Sequence, residues 1–458
     1  MWNSGRTGAA GGGIVRRTRF VATTALAAAL GCSLPGSPAA QHSSVAHDPP
    51  EQGAPDTPQR YPSELPPPSR VRAAIADSPQ VQAAAALLQA AGAERRRLDV
   101  GPHEWTSRVD YQRRRVREAG AHDRFNEWAL SLERGVRLPG KAELDRSLGA
   151  RRVAEAEIAR SDAEHEASRR LLMLWYAMLR ERQSAQLLAR QADLAAREAA
   201  AVARRRELGD TSRLDEMQAA AEAEQVEAAR RVALDLAERA SIALVREFPA
   251  MAGIAPPEAL PEPPPPAEDL VALAQQAIEE NHELRGALAA AASAQIEAQR
   301  ALADRRPDPT VGVQLGSERS AEERLVGAFV SIPFGGEARR AAADASVARA
   351  GAAARSAEAR RRQVDAQVAS LLASASSGAA RWQASQRAAE LQSSAAERVA
   401  RARELGEAGV AEVLRARRLA LDAALRAANM RVDALESRAR LLLDAHRIWD
   451  FDHSDDEP

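Results

Sequence analysis

The sequence of 458 residues contains one cysteine, one lysine and few aromatic residues, which make up only 3% of the chain. A single cysteine excludes a framework of disulfide bonds within the chain. The shortage of aromatic side chains excludes a conventional large core, because such cores take much of their buried area from these residues. The formal net charge is −1. This balance argues against a nucleic-acid-binding protein, which usually carries an excess of basic residues.

The chain is instead rich in alanine, glutamate, arginine and leucine, the composition of long helices and coiled coils. Hydrophobic residues account for 45% of it and charged residues for 28%. Its buried area must therefore come mainly from Ala, Leu and Val, as it does between closely packed helices. The fold class that we expect is mainly α with a small β part.

The sequence contains no recognisable catalytic motif. The sequence has no glycine-rich phosphate loop, no His-Glu-x-x-His motif and no pair of cysteines. Histidines occur without the spacing of metal ligands, at His103, His122, His165, His282, His446 and His453. We therefore expect no enzymatic activity, no cofactor and no bound metal.

The N-terminus has the pattern of an export signal. Three arginines within residues 16–19 precede an apolar run at 20–30, which is too short to span a bilayer. The only cysteine, Cys32, follows Ala-Leu-Gly and resembles the lipobox of bacterial lipoproteins, in which the cysteine is lipidated and becomes the mature N-terminus. The alternative is an ordinary signal peptide that is cut after residue 39 or 40 and removes Cys32.

Most of the chain consists of two copies of an internal repeat. Residues 206–210 (Arg-Glu-Leu-Gly-Asp) recur as residues 403–407 (Arg-Glu-Leu-Gly-Glu), and residues 78–81 (Ser-Pro-Gln-Val) recur loosely as residues 281–284 (Asn-His-Glu-Leu). The predicted segments are a signal peptide with lipobox (1–32), a disordered linker (33–68), a first repeat (69–254), a Pro-rich linker (255–267), a second repeat (268–449) and an acidic tail (450–458).

Each repeat is expected to contain helices, a strand pair and a long helical hairpin. The predicted strands are residues 104–113, 124–136, 310–317 and 324–332, and the predicted hairpin helices are residues 139–208, 212–248, 337–405 and 409–449. At ~1.5 Å per residue the longer helices would reach roughly 100 Å. Gly209 and Gly406 follow the long helices and are expected to close them in the left-handed conformation. Ser212 and Asp215 have the spacing of an N-terminal capping box.

The four strands alternate apolar residues with polar or small ones, the pattern of an outer-membrane β-barrel. The residues that we expect to face lipid are Trp105, Val109, Tyr111, Trp128, Leu130, Leu132, Val311, Val313, Leu315, Val326 and Val330. Four strands cannot close a barrel, and open edges in lipid are costly. Three copies would together provide twelve strands, continued by a helical tube.

The doubled unit resembles the TolC-like outer-membrane efflux proteins over about residues 70–449. The best local matches are the two Arg-Glu-Leu-Gly tips and the Pro-Phe-Gly-Gly turn at 333–336. The Leu-Pro-Gly-Lys turn at 138–141 and the strand start at 101–105 are more similar to the CzcC-like branch, which serves heavy-metal efflux pumps. The resemblance implies a homotrimer spanning the outer membrane, a periplasmic adaptor protein and an inner-membrane pump of the resistance-nodulation-division class, with no nucleic-acid partner.

The family also implies where the functional residues lie. In the family, acidic residues shortly after the second tip line the constriction of the closed tube. By motif, these positions correspond to Glu412 and Arg415 here, and Arg415 is not acidic. Asp215 corresponds to Glu412 in the first half. A ring of Glu412 would favour cations; the alternative role is a carboxylate placed for the helix dipole. The residues expected to contact the adaptor at the tips are Arg206, Leu208, Gly209, Arg403, Leu405 and Gly406.

Two other classes of protein remain open at this stage. A periplasmic adaptor also has long helical hairpins, but one hairpin between β-rich halves rather than two. A purely structural coiled coil would need sustained heptads and no strands. The sequence leaves the exported substrate open between metal cations and organic compounds.

Overall fold

The computed structural model describes residues 61–118, 120–266 and 269–450. The predicted signal peptide with Cys32, residues 33–60 of the predicted linker and the acidic tail beyond Asp450 lie outside this range. The elements in chain order are α1 (Pro68–Ala76), α2 (Pro79–Val100), β1 (Trp105–Glu118), β2 (Ala121–Gly135), α3 (Lys141–Glu207), α4 (Arg213–Glu247), α5 (Leu270–Glu279), α6 (His282–Ala303), β3 (Thr310–Glu318), β4 (Glu323–Ser331), α7 (Glu337–Glu404) and α8 (Val410–Asp444).

The fold is mainly helical with a small β part, as the composition predicts. Two short helices, two strands and a long helical hairpin follow one another in the same order in each half of the chain. None of the helices in the described part carries an apolar stretch sufficient to cross a bilayer.

The outgoing helices of the hairpins are about twice as long as the returning ones. Helices α3 and α7 contain 67 and 68 residues, whereas α4 and α8 contain 35 each. Helix α3 packs against α2, α4, α6 and α8, and helix α7 packs against α5, α6 and α8. Each long helix therefore has several packing partners within the chain. This arrangement suits their alanine-rich sequences, because alanine has the best helix propensity and adds little width.

The main core lies near the middle of α3. Its largest fully buried side chains include Trp175, Tyr176, Leu171 and Leu179 of α3 and Leu441 of α8. The short helices α1 and α5 pack into the same cluster, and three much smaller apolar clusters follow along the hairpins. Few aromatic residues are present, yet Trp175, Tyr176, Phe248 and Trp449 all belong to this main core.

The end of the segment predicted to be a disordered linker is folded. Leu65 belongs to the main core and is 7% exposed. Trp175 donates its indole N–H to the Glu64 carbonyl at 2.9 Å, and the Tyr176 hydroxyl donates to the Glu64 carboxylate at 3.2 Å. The predicted boundary at residue 68 is therefore too late, because residues 61–67 supply hydrogen-bond acceptors to an otherwise apolar core.

The second Pro-rich segment has no helix or strand over residues 255–266, in agreement with its proline content. It is nevertheless anchored to the helical body. Leu260 is 3% exposed, and Arg431 of α8 donates to the Pro261 carbonyl at 3.0 Å.

The four strands form one antiparallel sheet in the order β1-β2-β3-β4. The β1–β2 hairpin is longer than predicted, because residues 114–118 continue β1 and residues 121–123 precede the predicted start of β2. This extension carries Arg114, Arg115 and Arg117, whose charges mask the apolar alternation on which the prediction depended. The hairpin consequently projects beyond β3 and β4, which have nine residues each.

Candidate functional site

All of the residues predicted to face lipid share one face of the sheet. The register places Val109 opposite Leu130, Leu130 opposite Leu315, and Leu315 opposite Val326. Directly opposed residues of antiparallel strands point to the same side, so these pairs form a continuous apolar row across all four strands. Exposed fractions in the set run from 39% for Leu130 to 83% for Val326. The structure therefore presents a large apolar surface with nothing packed on it within one copy of the chain.

Aromatic side chains lie at both ends of this apolar face. Trp105 is at the end nearest the helices, and Tyr111 pairs with Trp128 at the other end. The next residues of β1 on the same face beyond Tyr111 are Arg113 and Arg115. The face thus changes from aromatic to cationic where the β1–β2 hairpin continues beyond the rest of the sheet.

The opposite face of the sheet is mainly polar or small, although it also carries Phe125, Leu325 and Phe329. Glu127 is 3% exposed and accepts a hydrogen bond from Gln112 at 2.8 Å, while Arg114 lies 3.1 Å from its other oxygen. A Cβ atom on Gly312 would come within 2.5 Å of the Phe329 ring, so a larger residue there would displace the ring. Phe329 on this face is accommodated by glycine, whereas Trp105, Tyr111 and Trp128 on the other face are exposed.

The outer strands β1 and β4 each pair on one side only. Three successive antiparallel pairings mean that β1 and β4 run in opposite directions. A β4 strand from one copy could therefore lie beside β1 of another and continue the antiparallel pattern.

The sheet is joined to the helices by a cluster of charges around the buried Lys141. Its ammonium lies 2.8 Å from Asp308 and 3.0 Å from Asp304, and it donates to the Arg306 carbonyl at 2.7 Å. Asp308 also accepts from the Leu138 N–H at 3.0 Å. These contacts tie the turn after β2 to the loop before β3. The Leu-Pro-Gly-Lys sequence at 138–141 thus has a structural role in connecting the two halves.

The Asp308 carboxyl is strongly acidic as a result. Burial alone would raise its pKa, but the hydrogen bonds from Lys141 and Leu138 and the contact with His103 outweigh burial and lower the pKa from 3.8 to about 2. His103 Nε2 lies 2.9 Å from the second oxygen of Asp308. The carboxylate is therefore charged, and matched by a buried cation, at any physiological pH.

The two hairpin tips have the same backbone geometry. Gly209 and Gly406 adopt φ values of +81° and +80°, as the capping rule predicts. The N–H of Asp210 donates to the Arg205 carbonyl at 2.9 Å, and that of Glu407 donates to the Ala402 carbonyl at 2.8 Å, which is the hydrogen bond of a Schellman motif in both tips.

The predicted contact residues lie on these tips. Leu208 is 78% exposed and Leu405 is 71% exposed. The arginines Arg206 and Arg403 occupy the last turns of α3 and α7 and are, respectively, exposed and half-buried. An apolar residue flanked by a cation is thus displayed at the end of each hairpin.

The residues assigned to the constriction begin the returning helices. Asp215 completes the predicted capping box, since its backbone N–H donates to the Ser212 hydroxyl at 3.0 Å and its carboxylate accepts from the Ser212 N–H at 3.2 Å. Hydrogen bonds from Ser212 chiefly lower the Asp215 pKa. Glu412 is exposed and accepts from the Gly409 N–H at 3.2 Å, so it serves as a helix-start carboxylate. Arg415 is exposed one turn further along α8.

Three histidines that looked scattered in the sequence lie together in the structure. His165 is in α3, His282 begins α6 and His446 follows α8. Their ring centroids are 5.0–5.5 Å apart. The expectation that these histidines are scattered is therefore wrong. Sequence spacing could not reveal the cluster, because only the tertiary packing of both halves brings the three positions together.

No protein-family model and no curated protein matches the sequence. Solved structures of bacterial outer-membrane channels do match in fold. The CmeC outer-membrane channel of Campylobacter jejuni has a TM-score of 0.69 at 12% identity, covering 85% of this chain and 86% of its own. The outer-membrane protein VceC of Vibrio cholerae has a TM-score of 0.69 at 16% identity, covering 82% and 95%. The open state of the MtrE channel of Neisseria gonorrhoeae has a TM-score of 0.66 at 16% identity, covering 82% and 88%. The chain therefore has the fold of the TolC-like outer-membrane channels, which confirms the resemblance recognised in the sequence.

Proposed function

We propose that this chain is the outer-membrane channel of a tripartite efflux system. Three copies form a passive exit duct, without enzymatic activity, for substrates that an inner-membrane resistance-nodulation-division pump delivers through a periplasmic adaptor protein. One observation carries the proposal: a sheet with one exposed apolar face and two unpaired edges is joined to two very long helical hairpins.

The unpaired edges require neighbouring copies if the sheet lies in lipid. Strand β4 has nine residues, and roughly half of its backbone N–H and C=O groups point away from β3. In lipid each unsatisfied group costs several kcal/mol, so this edge alone would outweigh the ~5–15 kcal/mol that stabilises a folded domain. Pairing β4 of one copy with β1 of the next removes both edges. Three copies of four strands close a barrel of twelve strands, which is wide enough for an aqueous pore.

The sheet surface also fits an orientation in the membrane. The apolar band lies between aromatic residues at both ends, as in the girdles of outer-membrane barrels. Arg113 and Arg115 then lie among the anionic headgroups of the outer leaflet, and the helical hairpins extend into the periplasm. Cys32, if lipidated, adds an anchor on the periplasmic side.

The hairpin tips are the part that would contact the adaptor. The exposed Leu208 and Leu405 provide apolar contacts, and Arg206 and Arg403 provide cations beside Gly209 and Gly406. The returning helices place Asp215, Glu412 and Arg415 just behind the tips, at the periplasmic mouth of the proposed tube. Heavy-metal cations are the proposed cargo, on the strength of the CzcC-like turns at 101–105 and 138–141 and the carboxylate at Glu412.

The adaptor alternative has less support. An adaptor has one hairpin between β-rich halves, whereas this chain has two hairpins and one four-stranded sheet to which both halves contribute. A structural coiled coil would have no sheet at all.

Cysteine cross-linking in membranes tests the shared barrel. One cysteine is placed among residues 105–113 of β1 and another among residues 323–331 of β4, in a set of pairs that covers possible registers. After oxidation, denaturing gel electrophoresis is expected to show cross-linked dimers and trimers and no larger species. The matched control is the pair Leu130→Cys and Leu315→Cys, which are directly opposite within one chain and should link internally without cross-linked dimers or trimers. If the control pair links and no β1–β4 pair gives multimers, the shared barrel is wrong.

Conductance separates a duct from an adaptor. The purified trimer should open ion-conducting pores in planar bilayers. Deletion of the gene for this chain should abolish export that depends on the partner pump. A chain that fractionates with the periplasm or inner membrane and conducts no ions would instead support the adaptor alternative.

A further inference from the structure

The three clustered histidines have the arrangement of a metal-binding site, and they lie away from the sheet and the tips. Each can offer one ring nitrogen such that all three nitrogens are within 4.8 Å of one another. His282 is 4% exposed, and the side chains of His165 and His446 are 10% and 14% exposed. The cluster is not a product of the internal repeat, because the first half has Pro79 in the position of His282.

Two of the histidines have a carboxylate at one ring nitrogen. His165 Nε2 lies 3.3 Å from Asp444 Oδ1, and His446 Nδ1 lies 3.6 Å from Asp450 Oδ1. Histidines that bind metal typically direct their second ring nitrogen at such a group, which holds the imidazole in the tautomer whose other nitrogen carries the lone pair.

A further carboxylate near the cluster is only partly balanced by positive charge. Asp162 is one helical turn before His165 in α3, and its Oδ1 is shielded from solvent without a hydrogen-bond partner. Burial raises the pKa of Asp162, and the negative charges of Glu166 and Glu283 raise it further, although the positive charge of Arg169 lowers it. Arg169 is the cation in this region, but it is shared among Asp444, Glu166 and Glu283. A second cation would therefore be favoured here.

We propose that His165, His282 and His446 bind one divalent cation of the type that prefers imidazole ligands, such as Zn²⁺. Such ligands lie ~2.0–2.1 Å from zinc, so the three nitrogens must come to roughly 3.4 Å from one another. The rings of His165 and His446 are stacked with only 15° between their planes, and in-plane lone pairs of stacked rings cannot meet at one point. One of these rings must turn about χ2, a torsion with a broad energy minimum in histidine.

The site would act as a clip between the two halves of the chain. His165 belongs to the first hairpin, whereas His282 and His446 belong to the beginning and end of the second half. A bound cation would hold these three elements together near the main core. The inference depends on this geometry alone and not on the proposed channel function or its cargo.

Zinc binding to the purified full-length protein tests the site. The protein is prepared without a polyhistidine tag, stripped with chelator and titrated with Zn²⁺ by calorimetry, and Co²⁺ provides a second probe through its visible absorption. We expect one saturable site per chain. His165→Gln keeps a good helix former in α3, and His446→Asn suits the φ of +55° at that position. Each variant should weaken binding by more than about 100-fold, the upper end of the effect of losing an outer-shell partner.

The matched control is His122→Gln, which removes a histidine from β2, far along the chain from the cluster. It should bind Zn²⁺ as the unchanged protein does. Far-UV circular dichroism and oligomer size establish that each variant is folded. The proposal is overturned if the unchanged protein shows no saturable site, if both cluster variants retain its affinity, or if the control loses as much affinity as they do.

Discussion

Replacing Lys141 by methionine removes the buried cation that joins the sheet to the helices. Lys141 is the only lysine of the chain and its side chain is 2% exposed. Methionine keeps most of the apolar stem and deletes the charge. Asp308, with a side chain 11% exposed, then loses its nearest cation and keeps only the Leu138 N–H and His103.

The magnitude follows from the acidity of Asp308. A pKa lowered from 3.8 to about 2 corresponds to about 2.4 kcal/mol of stability at neutral pH, since each unit is worth about 1.4 kcal/mol. Removal of one partner from a buried ion pair costs up to about 3–5 kcal/mol. We therefore expect Lys141→Met to lower the free energy of unfolding by about 2–3 kcal/mol at pH 7. Because the folded pKa is depressed, this contribution is complete above the unfolded value and is lost as the pH falls. It should decrease to about half at pH 3.

The measurement is urea unfolding of the detergent-solubilised protein, followed by circular dichroism, at pH 7 and pH 3. A double-mutant cycle with Asp308→Asn isolates the pair, and we expect a coupling energy of at least about 1.5 kcal/mol at pH 7. The control is Arg146→Met. Arg146 forms an exposed pair with Glu143 on the same helix, and its loss should cost less than about 1 kcal/mol.

Two results would refute this reasoning. One is a Lys141→Met variant that is no less stable than Arg146→Met. The other is a coupling energy near zero, which would mean that Asp308 owes its acidity to Leu138 and His103 alone.

Two further predictions concern the tips and the sheet. Gly209→Ala and Gly406→Ala should each destabilise the chain by about 1–2 kcal/mol, because φ near +80° is unfavourable for alanine although its Cβ would meet nothing within 4 Å. Gly351→Ala, in the interior of α7 with equally open space, should instead stabilise the chain by about 1 kcal/mol. Thermal unfolding measures the change in stability of all three variants. A change of the same sign at the tips and at Gly351 would contradict the assignment of strain to the tips. On the sheet, Val313→Arg should impair assembly in the outer membrane, since arginine on a lipid-facing position costs about 2–4 kcal/mol at mid-depth. The neighbouring Gln314→Arg lies on the opposite face and should assemble normally; equal amounts of heat-resistant trimer from both variants would argue against the assignment of faces.

The helices and strands were largely predictable because their signals are local. Alanine-rich runs without proline, Gly209 and Gly406 after them, and the Ser212–Asp215 spacing together predict α3, α4, α7 and α8 to within a few residues. Alternation likewise predicts which face of each strand is apolar. The outer part of the β1–β2 hairpin was missed since arginines replace the apolar residues of the alternating pattern there.

The contacts that connect the two halves were not predictable in this way. The partners of Lys141 lie in the loop before β3, and the histidine cluster combines α3, α6 and the end of α8. Nothing in the sequence near any of these residues specifies its partner, because the pairing depends on how the halves pack. Residues 61–67 show the same limit: their proline-rich composition indicates a linker, but Glu64 satisfies two polar groups of the core.

Near the tips, the two hairpins of one chain are held together mainly by charges. Arg417 of α8 forms an ion pair with Glu198 of α3, and Arg418 pairs with Glu222 of α4 at 2.5 Å. The apolar cluster beside them consists of only Val202, Ala219 and Val410 with two partly buried neighbours.

Arg418 is 52% exposed, whereas Arg417, Glu198 and Glu222 are largely buried at 27%, 16% and 17%. Ion pairs near the surface contribute about 0–1 kcal/mol each, so the second hairpin can shift against the first at modest cost while each capped tip stays intact. If the proposed duct opens by such a shift, the double variant Arg417→Ala and Arg418→Ala should favour the open state by up to roughly 1.4 kcal/mol, a tenfold change in the open-to-closed ratio. Single-channel recording would show longer open times than in Arg426→Ala, which removes an exposed arginine of the same helix. Identical open times in the two proteins would mean that these ion pairs do not hold the mouth closed.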